Sequence, residues 1–244
     1  DNARLKENIL AWRKKCKNVG VYTYWNSFKG NLYSRPILKQ VKENLLWFKR
    51  IGVTCIDAEG GMDCTLLEKY SPRQVYQRKY YDMNEAYINV LFKLLWNPET
   101  DIDAALKRYA RIVYKESADA MCDYFSALQK GWDKSDATVW YSTGGDVYTL
   151  DFIINAGVKD EVLDALNRAK KSAVTERVKQ KVESVYETVT EQLTVYGNFI
   201  KETGVITRVN ASEAEILSDK NLAVDDNPDS IWNKAVPMKV FRNY

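Results

Sequence analysis

Apolar positions recur at helical spacing along most of this chain, interrupted by two short apolar runs that alternate as strands do. Leu5, Ile9, Trp12 and Cys16 mark a first helical face, and its last turn is basic, with Arg13, Lys14, Lys15 and Lys17. Residues 19–24, Val-Gly-Val-Tyr-Thr-Tyr, then read as a strand. After a loop, Pro36 suits a first helical turn, Ile37, Val41, Leu45 and Phe48 form the next stripe, and Gly52 ends it. Residues 53–57 read as a second buried strand. Helix, strand, helix, strand in that order implies parallel strands joined by a helical crossover.

From residue 81 the period stays near 3.6 for more than a hundred residues. Tyr87, Val90, Leu91, Leu94 and Leu95 form a wide stripe that ends at Asn97-Pro98, because a residue before proline is pushed out of the α region. Trp96, at the end of that stripe, is expected to be a buried structural residue. Asp101 or Asp103 caps the next helix, whose stripe is Ala105, Leu106, Tyr109, Ile112 and Val113. Residues 117–128 continue helical, 131–145 read as a loop, and 150–156 and 160–173 read as helices. Val178, Val182, Val185, Val189, Leu193, Tyr196 and Ile200 then define the clearest long helix, 175–202, roughly 40 Å at the α-helical rise. The expected organisation is 1–80 as an α/β part, 81–204 as a helical domain, and 205–244 as a linker with a further element begun.

Composition narrows the chemistry. The chain has 244 residues, enough for a sizeable core, and no histidine. Ser-His-Asp and Cys-His catalysis and histidine metal sites are therefore ruled out for it, leaving acid–base work to Asp, Glu, Tyr, Lys or Cys. No metal or cofactor is expected. The net charge of +3 is spread out, so nothing points to nucleic acid, and no apolar run reaches the roughly 18 residues that span a bilayer. The 16 Tyr and 7 Trp suit sugar rings, although helix packing accounts for most of them. Cys16, Cys55, Cys64 and Cys122 show no zinc or redox spacing; buried thiols are expected, with a Cys55–Cys64 bridge as the alternative.

The run from Tyr87 to Asp103, Tyr-Ile-Asn-Val-Leu-Phe-Lys-Leu-Leu-Trp-Asn-Pro-Glu-Thr-Asp-Ile-Asp, followed by Tyr109 and Tyr114, resembles the DUF4838 family. There a leucine-rich helix ends in Leu-Trp-Asn-Pro and leads through Asp-x-Asp to an aromatic-rich helix. The resemblance covers residues from about 11 to 202. Such proteins look like glycoside hydrolases of the α-glucuronidase and hexosaminidase type. The resemblance implies a (β/α)8 barrel, then a helical domain, often then a sugar-binding β-domain, and a secreted, periplasmic or cell-surface setting. Asp229-Ser-Ile-Trp232-Asn-Lys-Ala235 resembles the opening of such a β-sandwich. Since a barrel needs eight strands and ~250 residues, residues 1–80 are expected to be the C-terminal part of a TIM barrel whose N-terminal half is the missing partner. A small complete α/β layer is the alternative.

Barrel active sites lie at the carboxyl ends of the strands. Those ends are residues 22–26 and 57–61, which makes Tyr22, Tyr24, Trp25, Asp57 and Glu59 the candidate carbohydrate-binding residues. Family members often carry Trp-Asp-Tyr where this chain has Tyr22-Thr23-Tyr24, so Thr23 replaces an acidic residue. Asp57 and Glu59 point to one side of a strand, with Cα atoms ~6.6 Å apart from the strand rise. Glycosidases need two carboxylates that flank the scissile bond from opposite sides, which one strand does not supply. Glu59 is therefore the candidate for hydroxyl binding and, less directly, for the catalytic acid, with the main carboxylates expected upstream. The leading reading is a glycoside-hydrolase-like protein acting on complex glycans. A non-catalytic glycan-binding protein and a helical interaction module are the alternatives.

Overall fold

The computed structural model describes residues 2–25, 36–59, 73–135 and 148–203. The chain divides into two compact units, Asp1–Gln192 and Leu193–Tyr244. The first begins with α1 (Asn2–Lys15), β1 (Gly20–Tyr24), α2 (Leu38–Ile51) and β2 (Cys55–Glu59). It continues with α3 (Arg73–Trp96), α4 (Ile102–Val113), α5 (Ala118–Lys134), a π-helical turn (Tyr148–Ile154), α6 (Lys159–Ser172) and α7 (Glu176–Thr203). The last turns of α7 belong to the second unit, and the expected β-sandwich opening at 229–235 lies outside the described residues.

β1 and β2 pair in parallel, Gly20 with Cys55 through Tyr24 with Glu59, so α2 is the crossover between them. The fold class is thus α/β followed by all-α, with a two-stranded sheet among the described residues. Gly52 ends α2 in the left-handed region at φ 77°, and its N–H and that of Val53 close on the carbonyls of Lys49 and Phe48. That cap uses the Val53 N–H, the Thr54 N–H donates to the Val19 carbonyl at 3.0 Å, and β2 begins at Cys55, two residues later than the apolar run suggests. Arg13 fastens α1 to this corner, its Nε donating to the Ile51 carbonyl at 3.0 Å and its Nη1 to the carbonyls of Cys16 and Lys17. Lys6 lies over the Trp47 ring. Of the expected α1 stripe only Ile9 is buried; Leu5 and Trp12 are 58% and 62% exposed.

On α2, Leu38, Val41 and Leu45 are buried, and the helix packs on α3. Met83, Ala86, Tyr87, Val90 and Leu94 form the buried face of α3. Trp96 corrects the expectation made for it, because its indole is 89% exposed. The phase explains this: Trp96 lies two residues beyond Leu94, about 200° around the helix. Leu95 is likewise turned outward. Trp96→Ala is therefore expected to change stability by no more than about 0.5 kcal/mol, measured by urea unfolding; a cost of several kcal/mol would show that the indole is covered.

Asp101 caps α4 by accepting from the Ala104 N–H at 3.0 Å. On α4 the buried side chains are Ala105, Tyr109 and Ala110, while Ile112 faces outward. α5 runs on through Gly131 to Lys134, where the glycine suggested a loop. A Cβ at Gly131 would stand 1.9 Å from the Phe152 carbonyl oxygen, so this glycine is a contact point for the π-helical turn rather than a helix breaker. Trp132 stacks on Phe152 at 4.6 Å between ring centroids.

α6 packs along α5, and buried Ser117 ties the two, its hydroxyl donating to the Ala169 carbonyl at 2.8 Å. Ahead of α7, the Glu116 carboxylate accepts from the N–H groups of Val174 and Thr175, both at 2.7 Å. Those backbone hydrogen bonds, Thr175 first, hold its carboxyl down to about 2. A carboxyl depressed on folding stabilises above its unfolded value and loses that contribution as pH falls toward its folded one. Glu116→Ala is therefore expected to melt below the parent at pH 6, with the gap closing between pH 4.5 and pH 2. A gap that is constant over this window would show that the charge is not what holds the turn. On α7, Val178, Val182, Val185, Val189 and Leu193 are all buried, as the spacing predicts.

Candidate functional site

The sheet alternates along its strands. Tyr22, Tyr24 and Asp57 are exposed on one face, while Val21, Thr23, Ile56 and Ala58 are half-buried on the other. Tyr22 sits opposite Asp57 in the ladder, and Tyr24 opposite Glu59. The rings of Tyr22 and Tyr24 meet edge to face, 5.1 Å between centroids. Four of the five residues singled out in the sequence thus occupy neighbouring positions in one ladder, two aromatic and two acidic, with Glu59 placed by its backbone register. Aromatic faces and carboxylates side by side suit a polyol, since the rings cover C–H groups and the carboxylates accept from hydroxyls. Trp25, the fifth, is 8% exposed and packed inward. Residues 60–61 lie outside the described residues.

The helical part holds polar groups that the sequence reading passed over. Lys181 on α7 pairs with Asp82 at 2.7 Å and with Glu85, both on α3, and Ser184 donates to Asp82 at 2.9 Å. Burial pulls the Lys181 ammonium down, but the hydrogen bonds to Asp82 and Glu85 more than offset this, and the net shift is upward. One ammonium shared between two carboxylates ties α3 to α7 and leaves one negative charge in excess. The available signal was its spacing, acidic residues three apart on α3 and Lys181 beside the α7 valine stripe. Burial pushes the hydroxyls of Tyr87 and Tyr114 far above the ordinary tyrosine value, with Glu85 and Asp82 adding to it at Tyr114, so both stay protonated.

The cysteines depart from expectation: Cys55 is a free, exposed thiol, and Cys16 and Cys122 are free and half-buried. Cys64, the other half of the Cys55–Cys64 alternative, lies outside the described residues. Burial, with Asp119 next, raises the Cys122 thiol, which keeps it protonated. Among the described residues no group of three or more acidic or thiol side chains is placed to hold a metal ion, and no helix is long and apolar enough to cross a membrane.

A cleft of about 530 Å³ opens between α2, α3, α4 and α5. Its floor includes Leu38, Tyr87, Leu106 and Phe125, and Lys39 and Lys107 stand on its rim.

The parallel β–α–β unit, the Leu-Trp-Asn-Pro corner and the Asp101-capped helix fall together in one comparison. The family model described as a domain of unknown function, DUF4838, matches residues 1–126. The chain belongs to the DUF4838 family. No curated protein and no solved structure matches it. The DUF4838 match runs from α1 into α5, so it takes in the tyrosine–carboxylate ladder and most of the helices around the cleft.

Proposed function

We propose that this DUF4838 chain is the C-terminal part of a (β/α)8 barrel with its helical domain, in a glycoside-hydrolase-like protein of secreted, periplasmic or cell-surface type that handles complex glycans. The observation that carries the reading is the parallel β1–α2–β2 unit, with Tyr22 and Asp57 exposed at mid-strand and Tyr24 exposed at the carboxyl end of β1. That is the end at which barrels build their sites. The exposed Leu5 and Trp12 on α1 fit a helix that packs beside further barrel units. The reaction class would be O-glycosyl hydrolysis, with its flanking carboxylates on other strands and Glu59 as an accessory group.

One observation favours a second reading, a glycan-binding protein without catalysis. Thr23 stands where family members often carry an acid, and Asp57 and Glu59 share one strand, so they do not flank a bond from opposite sides. Both readings place the glycan on the same ladder. An open face buries little of a ligand, so oligosaccharides are expected to bind no tighter than about millimolar, near −4 kcal/mol. In a titration with neutral and acidic oligosaccharides followed by NMR, Tyr24→Ala should weaken binding about tenfold, and Asp57→Asn should weaken it as well. Binding that ignores both substitutions would remove the glycan from this face.

A further inference from the structure

The cleft between α2, α3, α4 and α5 has a pattern of its own. Its 530 Å³ fall within the roughly 300–1,000 Å³ of small-molecule sites. Four lysines and two aspartates line it, and they are not equivalent. Lys130 is paired with Glu161, and Lys134 donates to the Ala156 carbonyl. Asp133 accepts from Gln129 at 2.8 Å. Lys39 on α2 and Lys107 on α4 form no ion pair or hydrogen bond among the described residues, although Asp103 lies one helical turn before Lys107. Two uncommitted ammonium groups therefore face one opening from different helices.

The floor limits what they bind. Leu38, Ile102, Leu106 and Phe125 are apolar, and a fully hydrated inorganic anion gains nothing against them. A ring does. A bare carboxylate also meets Asp103 and Asp133 as like charges, whereas a ring hydroxyl offers them a donor. We propose that this cleft binds a small phenolic carboxylate, its ring on Ile102 and Leu106, its carboxylate between Lys39 and Lys107, and its hydroxyl toward the aspartates. The inference does not depend on the glycan reading, since none of these residues belongs to the sheet.

The test is an NMR titration of the full chain with 4-hydroxybenzoate, beside 4-hydroxybenzamide, acetate and glucose. Saturable shifts are expected at the start of α2, in the first turns of α4 and in the second half of α5. The neutral amide, acetate and glucose should each bind at least tenfold more weakly. The double variant Lys39→Ala/Lys107→Ala should lose at least tenfold for 4-hydroxybenzoate, while Tyr24→Ala leaves it unchanged. Both lysines are exposed, and Lys39→Gln/Lys107→Gln, which keeps the stems, gives the same comparison if the alanines disturb the fold. No saturable shift, equal affinity for the amide or glucose, or full affinity in the lysine variants would each overturn the proposal.

Discussion

Gly131→Ala is expected to destabilise the protein by about 3 kcal/mol, at the upper end of what overpacking ordinarily costs. For a unit of this size that lowers the melting temperature by roughly 6–12 °C. The added methyl would meet the Phe152 carbonyl oxygen at 1.9 Å and the Val158 side chain at 2.9 Å. The first obstacle is backbone, which has no rotamer to escape into, so α5 and the π-helical turn must separate. On propensity alone the substitution would stabilise a helix by about 1 kcal/mol, so the two effects have opposite signs and the sign of the result decides between them. Thermal melting followed by circular dichroism reads it. A variant that melts at or above the parent would mean that Gly131 is not a contact point and that the two elements are not packed there.

Val189→Asp should cost more, about 4 kcal/mol or beyond. Val189 has no exposed surface, and Val182 and Val185 beside it on α7 are equally covered. A carboxylate there has water on no side; it must either ionise unpaired or take up a proton, and both are unfavourable. The cation nearest in kind, Lys181, is already shared between Asp82 and Glu85. Urea unfolding should show the midpoint collapse, and a variant within a degree or two of the parent in Tm would mean that the valine stripe is not core.

These two positions show what the sequence carries and what it hides. The α7 stripe was legible because five apolar residues at spacings of three and four have one physical explanation, a buried helical face. The end of α2 at Gly52 was legible for the same reason, a local rule met locally, and the α4 cap was legible as far as Asp101 or Asp103, of which the structure uses Asp101. Gly131 was read as a loop because the same residue serves both to break helices and to admit a neighbour's backbone, and only the neighbour tells the two apart. Trp96 failed differently. Helix α3 is apolar on more than one side, and counting apolar residues does not say which side meets the core.

The candidate site divides along the same line. Alternation in a strand is local, so the shared face of Tyr22 and Tyr24 was readable, as was the placing of Asp57 and Glu59 two apart on one side of a strand. Register between strands is not local, and Tyr22 standing opposite Asp57 came only from the fold. The Lys181–Asp82–Glu85 trio joins residues about a hundred positions apart, and no periodicity within either helix links them. The cleft draws Lys39 and Lys107 from α2 and α4 and was out of reach of the sequence for the same reason.

The central claim is that the ladder of Tyr22, Tyr24, Asp57 and Glu59 is one sector of a glycan-binding barrel whose reacting carboxylates lie on other strands. The most direct measurement is hydrolysis of a panel of chromogenic glycosides by this 244-residue chain, beside a polypeptide that also carries the remaining barrel strands. The account predicts no turnover by the chain alone and turnover by the longer polypeptide. Turnover by the chain alone that Glu59→Gln abolishes would contradict it and make Glu59 the catalytic acid.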